Sequence, residues 1–175
     1  DLETENDAER IRAKGVQAHQ IVTGTACHLD AHLVHDALHH MNLDGVDILF
    51  IENVGNLVCP ASFDLGQHLN VTLLSVTEGD DKPLKYPHIF AASRLMILNK
   101  IDLLAHVDFN VDRAVAHARQ VNPDIQVMWL SARSGKGLAC WYDWLRRELA
   151  APARAASGTR GRPGMPSPDR LCTRL

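Results

Sequence analysis

Along the chain, short runs of consecutive apolar residues alternate with stretches in which apolar positions recur every third or fourth residue. That alternation predicts strands interleaved with helices. The clearest strand is Val46-Asp47-Ile48-Leu49-Phe50-Ile51, ending at Glu52-Asn53. Val71-Thr72-Leu73-Leu74-Ser75-Val76 follows, closed by Glu78-Gly79-Asp80-Asp81. Then come Leu95-Met96-Ile97-Leu98 and Ile125-Gln126-Val127-Met128-Trp129-Leu130, with His19-Gln20-Ile21-Val22 as a weaker strand. Runs that are continuously apolar suit strands covered on both faces. The expected fold class is therefore α/β, a mostly parallel sheet with helices on both faces.

The helical stretches are 7–14, highly charged and stopped by Gly15, and 29–41, where Leu29, Leu33, Ala37 and Met41 form an apolar stripe. A third, 112–121, ends at Asn122-Pro123, because proline cannot continue a helix. The last, 138–149, follows Gly137 and carries Trp141, Trp144, Leu145 and Leu149 on one face. From residue 151 the periodicity stops and Pro, Gly, Ala, Ser and Arg dominate. Such a stretch cannot bury enough surface to offset its ordering entropy, so 1–150 reads as one domain and 151–175 as a disordered tail.

Composition narrows the function. A chain of 175 residues with 46% hydrophobic and 22% charged residues is ordinary for a globular protein. Its net charge of -3 argues against a sequence-blind nucleic-acid binder. No apolar run is long enough to span a bilayer and nothing at the N-terminus resembles a signal peptide. The expectation is a cytoplasmic setting with reduced cysteines at Cys27, Cys59, Cys140 and Cys172.

The most specific motif is Asn99-Lys100-Ile101-Asp102, directly after a strand, where ligands bind in open α/β sheets. A fixed Asp102 carboxylate accepts two hydrogen bonds from the guanine ring N–H and exocyclic amine. Adenine lacks that donor pair and would leave the carboxylate unpaired. Asn99 would reach the N7 side and the Lys100 stem would lie along the base. After the next strand, Ser131-Ala132-Arg133 resembles the Ser-Ala-Lys of GTPases, where a backbone N–H meets the guanine carbonyl.

The phosphate side is thinner. No G-x-x-x-x-G-K-[ST] run occurs in the chain; Ser134-Gly135-Lys136-Gly137 lacks the upstream glycine and the Ser/Thr. In P-loop GTPases the phosphate loop precedes everything seen here, so the expectation is a domain whose first strand, loop and first helix lie before Asp1. These residues alone should bind GTP weakly or not at all. Asp1, Asp7 and Glu52 are the carboxylates left for a magnesium side. Glu52-Asn53-Val54-Gly55 sits where many GTPases carry Asp-x-x-Gly, whose carboxylate orients magnesium and whose glycine N–H meets the γ-phosphate. For Asp7 a plain acid in the first turn of a helix explains the residue equally well.

Cys27-His28 places a thiol and an imidazole side by side at an expected helix start, and His32 lies four residues after His28. Cys59 follows the Glu52–Gly55 turn. Together Cys27, His28 and Cys59 make an S/N donor set suited to zinc or nickel. A free cysteine beside a surface histidine accounts for the spacing as well. The histidines beyond, His35, His39 and His40, read as a solvated helix face.

These motifs together resemble one family, HypB, the GTPases that help insert nickel into nickel–iron hydrogenase. The resemblance covers about residues 1–149. It rests on Asp1-Leu2-Glu3-Thr4-Glu5-Asn6-Asp7-Ala8-Glu9-Arg10, Cys27-His28-Leu29-Asp30-Ala31-His32, Glu52-Asn53-Val54-Gly55-Asn56-Leu57-Val58-Cys59-Pro60, Ser75-Val76-Thr77-Glu78-Gly79-Asp80-Asp81-Lys82-Pro83 and Asn99-Lys100-Ile101-Asp102. It implies a GTP-hydrolysing metallochaperone that binds GTP/GDP and Mg2+. Its homodimer interface would hold Ni2+ or Zn2+ on Cys27, His28 and Cys59, with His32 as a further candidate. Glu52, Gly55 and Asp7 would serve catalysis, and Asp1 the nucleotide. The implied partners are the nickel-binding accessory protein HypA and the hydrogenase large subunit, with no nucleic acid and no membrane. The competing expectation is an inactive metal-binding and dimerisation module.

Overall fold

The computed structural model describes residues 5–24 and 26–151. Asp1 and the 152–175 part of the expected tail lie outside the described residues. The chain is α/β and divides into two compact units, one running to His68 and one from Leu69.

In the first unit, α1 spans Asn6–Arg12, with Asp7 and Glu9 in its first turn and Arg10 and Arg12 in its last. That order complements the helix dipole at both ends, acids at the positive N-terminus and bases at the negative C-terminus. The chain leaves it at Gly15, whose φ of +79° suits a residue without Cβ. α2 spans Ala31–Leu38, shorter than the apolar stripe predicts. Asp30 is the reason at its start: its side chain accepts from Leu33 N at 2.8 Å, which fixes the N-cap. At its end the chain tightens into a turn, with His40 N donating to Ala37 O. Leu29, Val34 and Ala37 are buried. A single 3-10 turn, Cys59–Ser62, follows later and begins with proline near its first position.

The expected strands at 46–51 and 19–22 are not strands among the described residues. An apolar run shows where a strand fits, but the strand itself is made by a ladder with neighbours. The described ladder runs only through three strands of the second unit. Val46, Ile48, Leu49 and Phe50 are accordingly exposed, Phe50 at 66%.

In the second unit, β1 (Val71–Ser75), β2 (Leu95–Asn99) and β3 (Gln126–Trp129) form a parallel sheet in the order β1-β2-β3. Val71 pairs with Leu95 and Leu95 with Gln126, so β1 and β2 end level at Ser75 and Asn99, and β3 ends one residue earlier at Trp129, opposite Leu98. β1 and β2 are joined through two short helices, α3 (Lys82–Lys85) and α4 (Pro87–Ala92), each with proline in its first turn. α5 (Val111–Val121) connects β2 to β3 and packs against α3 and α4. α6 (Leu138–Ala150) follows β3.

The core lies where α6 meets the sheet. Trp144 is 1% exposed and packs with Leu95, Ile97, Met128 and Leu130. Met96 and Leu98, both fully buried, alternate to the opposite face, so β2 is covered on both sides. Asp80 fastens the loop after β1 to α5. It is buried, takes two hydrogen bonds from the Arg113 guanidinium at 2.9 and 2.6 Å, and a third from Asn110 N at 3.0 Å.

Candidate functional site

The three strand ends set the first site. Asn99 is the last residue of β2, and its Oδ1 accepts from Lys100 N at 2.7 Å and from Ala132 N at 3.2 Å. With its oxygen committed to the backbone, Asn99 has its Nδ2 donors to offer a ligand, which suits an acceptor such as a purine N7. The chain turns at Lys100 through φ +63° and ψ +33°, left-handed for a residue with a side chain. A 3-10 turn, Ile101–His106, then presents Asp102.

Opposite, Ser131 is fully buried and opens the loop after β3. Its Oγ receives Ser134 N at 3.1 Å, its N–H donates to Lys136 O, and its C=O receives Gly135 N. A hydrogen bond from Ser131 holds the Asp102 carboxyl below the usual carboxylate range; burial opposes this, and the backbone N–H and nearby Arg133 reinforce it. Asp102 is therefore an ionised, acceptor-only group at neutral pH. The loop closes at Gly137, where φ is +83° and a Cβ would stand 2.3 Å from Trp129 O. Only glycine lets α6 begin so close to the end of β3.

Asn99, Lys100, Asp102, Leu103, Ser131, Ala132 and Arg133 line one cavity of about 380 Å³. It contains every described residue expected to read guanine. One detail departs from expectation: the Ala132 N–H donates to Asn99, so it reaches a ligand carbonyl only by sharing or exchanging that bond.

The second constellation is in the first unit. Cys27 Sγ lies 2.7 Å from Cys59 Sγ, both thiols being free, and 3.8 Å from His28 Nδ1. The His28 ring stacks on Phe63 with centroids 3.7 Å apart and planes 10° off parallel. Hydrogen bonding with Cys27 pushes the Cys59 thiol above its ordinary pKa, helped by desolvation and by the charge of Cys27. Among the described residues no trio of His, Cys, Asp or Glu is arranged to close on a metal ion. The set is thus a partial site. With metal–sulfur bonds of about 2.3 Å at a tetrahedral angle, two thiolates stand about 3.8 Å apart, so a metal entering here would spread the sulfurs by about 1 Å.

Two asparagines hold these loops together. Asn56 Nδ2 donates to Cys27 O at 2.7 Å, while its Oδ1 accepts from Val58 N at 3.0 Å and Cys59 N at 2.9 Å. Asn53 Oδ1 accepts from Leu29 N at 3.0 Å and Val54 N at 2.8 Å. The sequence reading missed Asn53, Asn56 and Phe63. The signal for the asparagines was their turn-forming Asx chemistry; Phe63 carried none.

The remaining expected residues are spread out. His32 Nδ1 faces Asp36 Oδ2 at 3.0 Å. Asp7 faces Arg10 at 3.5 Å on the exposed side of α1. Glu52 and Gly55 are exposed, with open space around the position a Gly55 Cβ would take.

Fold and cavity together define a nucleotide-binding α/β domain, and the CobW/HypB/UreG nucleotide-binding domain matches residues 1–129. Within that group the similarity is specific. The chain is 57% identical over 151 residues to the hydrogenase maturation factor HypB of Escherichia coli K12, covering 86% of this chain and 52% of that protein. It is 58% identical over 156 residues to HypB of Azotobacter vinelandii, covering 89% and 51%. The crystal structure of Helicobacter pylori HypB in complex with nickel superposes with a TM-score of 0.83 at 38% identity, over 90% of this chain and 75% of that one. That of Archaeoglobus fulgidus HypB gives 0.77 at 41%, over 85% and 72%. The chain belongs to the HypB family. It spans about half the length of the curated relatives it matches. No helix among the described residues is long and apolar enough to cross a membrane.

Proposed function

We propose that this chain carries the guanine-reading pocket and the metal-holding loops of a cytoplasmic, GTP-hydrolysing nickel metallochaperone for nickel–iron hydrogenase. The observation that carries this reading is the single cavity lined by Asn99, Lys100, Asp102 and Ser131–Arg133. Asp102 pairs with the guanine N–H donors, Asn99 reads N7 and the Lys100 stem lies along the base. The nickel-bound relative supports the metal assignment. Cys27, His28 and Cys59 hold the metal cargo, Ni2+ or Zn2+, by soft and borderline donors. Three ligands leave a four-coordinate site one short. A second copy of the chain completes it in a homodimer, with His32 as a further donor, and the accessory protein HypA and the hydrogenase large subunit exchange metal with it.

Glu52 and Gly55 sense the γ-phosphate, and the exposed Glu52 carboxylate is a hard oxygen donor of the kind Mg2+ takes, with Asp7 and Asp1 as further acids. Mg2+, when bound, neutralises phosphate charge. Coupling runs through this chain's own residues. Asn53 ties the 52–55 turn to Leu29, and Asn56 ties Cys59 to Cys27. A shift of the turn thereby moves one thiol relative to the other, so the metal senses two states.

Asp102→Asn tests the reading. An amide offers a donor to the C2 carbonyl of xanthine and loses the acceptor pair for guanine. GDP binding should fall at least about tenfold while XDP binding rises. GDP binding unchanged in the variant would overturn the pocket assignment.

A further inference from the structure

Beyond His32, the exposed face of α2 carries donor atoms that the metal loops do not use. His32, His35, Asp36 and, at the C-cap, His39 fall within about 100° of arc at 3.6 residues per turn. Val34 and Ala37 point the other way and are buried. His35 Nε2 and His39 Nε2 face each other at 3.1 Å, with ring centroids 4.6 Å apart and planes near perpendicular. Both rings are exposed.

We propose that His35 and His39 form a second metal-binding site, a two-point chelate for a divalent first-row transition cation such as Ni2+, Zn2+ or Cu2+. The spacing is the argument. A metal bonded to both nitrogens at about 2.05 Å, with those nitrogens 3.1 Å apart, subtends about 98°. That angle lies between the 90° of square-planar or octahedral ions and the tetrahedral value of about 109°. The rings need no new rotamer to grip the ion, because the helix presents residues i and i+4 side by side. Imidazole is the donor these cations share, whereas Mg2+ and Ca2+ take oxygen. No third His, Cys, Asp or Glu among the described residues closes on the same point. The other coordination positions are open to water, which makes this an exchangeable site rather than a structural one. It draws on none of Cys27, His28 or Cys59, and it stands whether or not the proposed nucleotide function does.

The test is titration of the whole chain with NiSO4 by calorimetry, in a Cys27→Ser/Cys59→Ser background that removes the thiolates. ZnSO4 titration followed on the imidazole 15N signals locates the ligands. The expected result is one nickel equivalent in that background, weakened about tenfold or more by either His35→Gln or His39→Gln, since each removes the chelate's second point. Zinc should shift the His35 and His39 rings together and leave unmoved the rings of His19 and His40, which stack on each other with centroids 5.3 Å apart. Circular dichroism verifies that α2 persists in the variants. The proposal fails if the thiol-free chain takes up no nickel, or if uptake is the same with both histidines replaced.

Discussion

Asn56 offers the sharpest mutational test of how the metal loops are held. Its side chain makes three hydrogen bonds, one to the Cys27 carbonyl and two from the amides of Val58 and Cys59, at 2.7, 3.0 and 2.9 Å. Asn56→Ala removes all three. The groups are partly exposed, so each bond belongs at the lower end of the net range, about 0.5–1 kcal/mol. The sum, about 1.5–3 kcal/mol, corresponds to roughly a 10- to 150-fold change in an equilibrium that requires the two loops to be in register. Metal binding by Cys27 and Cys59 is such an equilibrium. Competition against a chromophoric chelator should show Zn2+ and Ni2+ affinity falling by that factor. Asn56→Asp keeps both acceptor bonds and loses only the donor to Cys27 O, so its affinity should fall between wild type and alanine. An affinity in Asn56→Ala within twofold of wild type, with the fold intact, would refute the view that this residue sets the thiols.

Gly137→Ala forces a Cβ into a left-handed backbone and against Trp129 O. The cost is about 2–4 kcal/mol, or a fall in Tm of about 5–10 °C by calorimetry, and an unchanged Tm would contradict the geometry. Asp80 has its pKa lowered, first by the Arg113 hydrogen bond, so its contribution is present above the unfolded carboxylate pKa and disappears as pH falls through the folded value. Asp80→Asn should lose about 1–2 kcal/mol at neutral pH, discounted for the half-exposed Arg113, and flatten the acid limb of a denaturant-against-pH series. An acid limb as steep as wild type would count against it. The Cys59 thiol, raised by Cys27, must lose its proton to bind metal. Zinc affinity should therefore keep rising as pH increases through the thiol range, and a flat profile would show that Cys59 is not a ligand.

The parts legible in the sequence are those in which one contiguous segment holds both the element and its chemistry. Leu95–Leu98 is apolar enough to be a doubly covered strand, and Asn99–Asp102 follows with no intervening residue. Ser131 and Ala132 follow β3 after the single residue Leu130. The short helices α3 and α4 went unread because each is a turn or so long, announced only by proline at its start. Residues 46–51 mislead for a different reason: apolar continuity records a strand's environment, while the ladder depends on a neighbour that local sequence does not name. Asn53, Asn56 and Phe63 act across the gap to residues 27–29, contacts that no periodicity encodes. His35 and His39 looked like a solvated face, and the face is solvated; the 3.1 Å approach of their nitrogens emerges only from the helix.

One chain of the HypB family carries both a base pocket and a thiol–imidazole loop. The function proposed for the chain depends on Asn99–Asp102 and Ser131–Arg133 reading guanine. The most direct measurement is a titration of the 15N-labelled chain with GDP and, separately, ADP, following backbone amides by NMR. GDP should shift the amides of Lys100, Asp102, Ala132 and Arg133 together, Ala132 most as its bond to Asn99 is exchanged, while ADP should leave them in place. Equal shifts with both nucleotides, or GDP shifts confined to other residues, would contradict that reading.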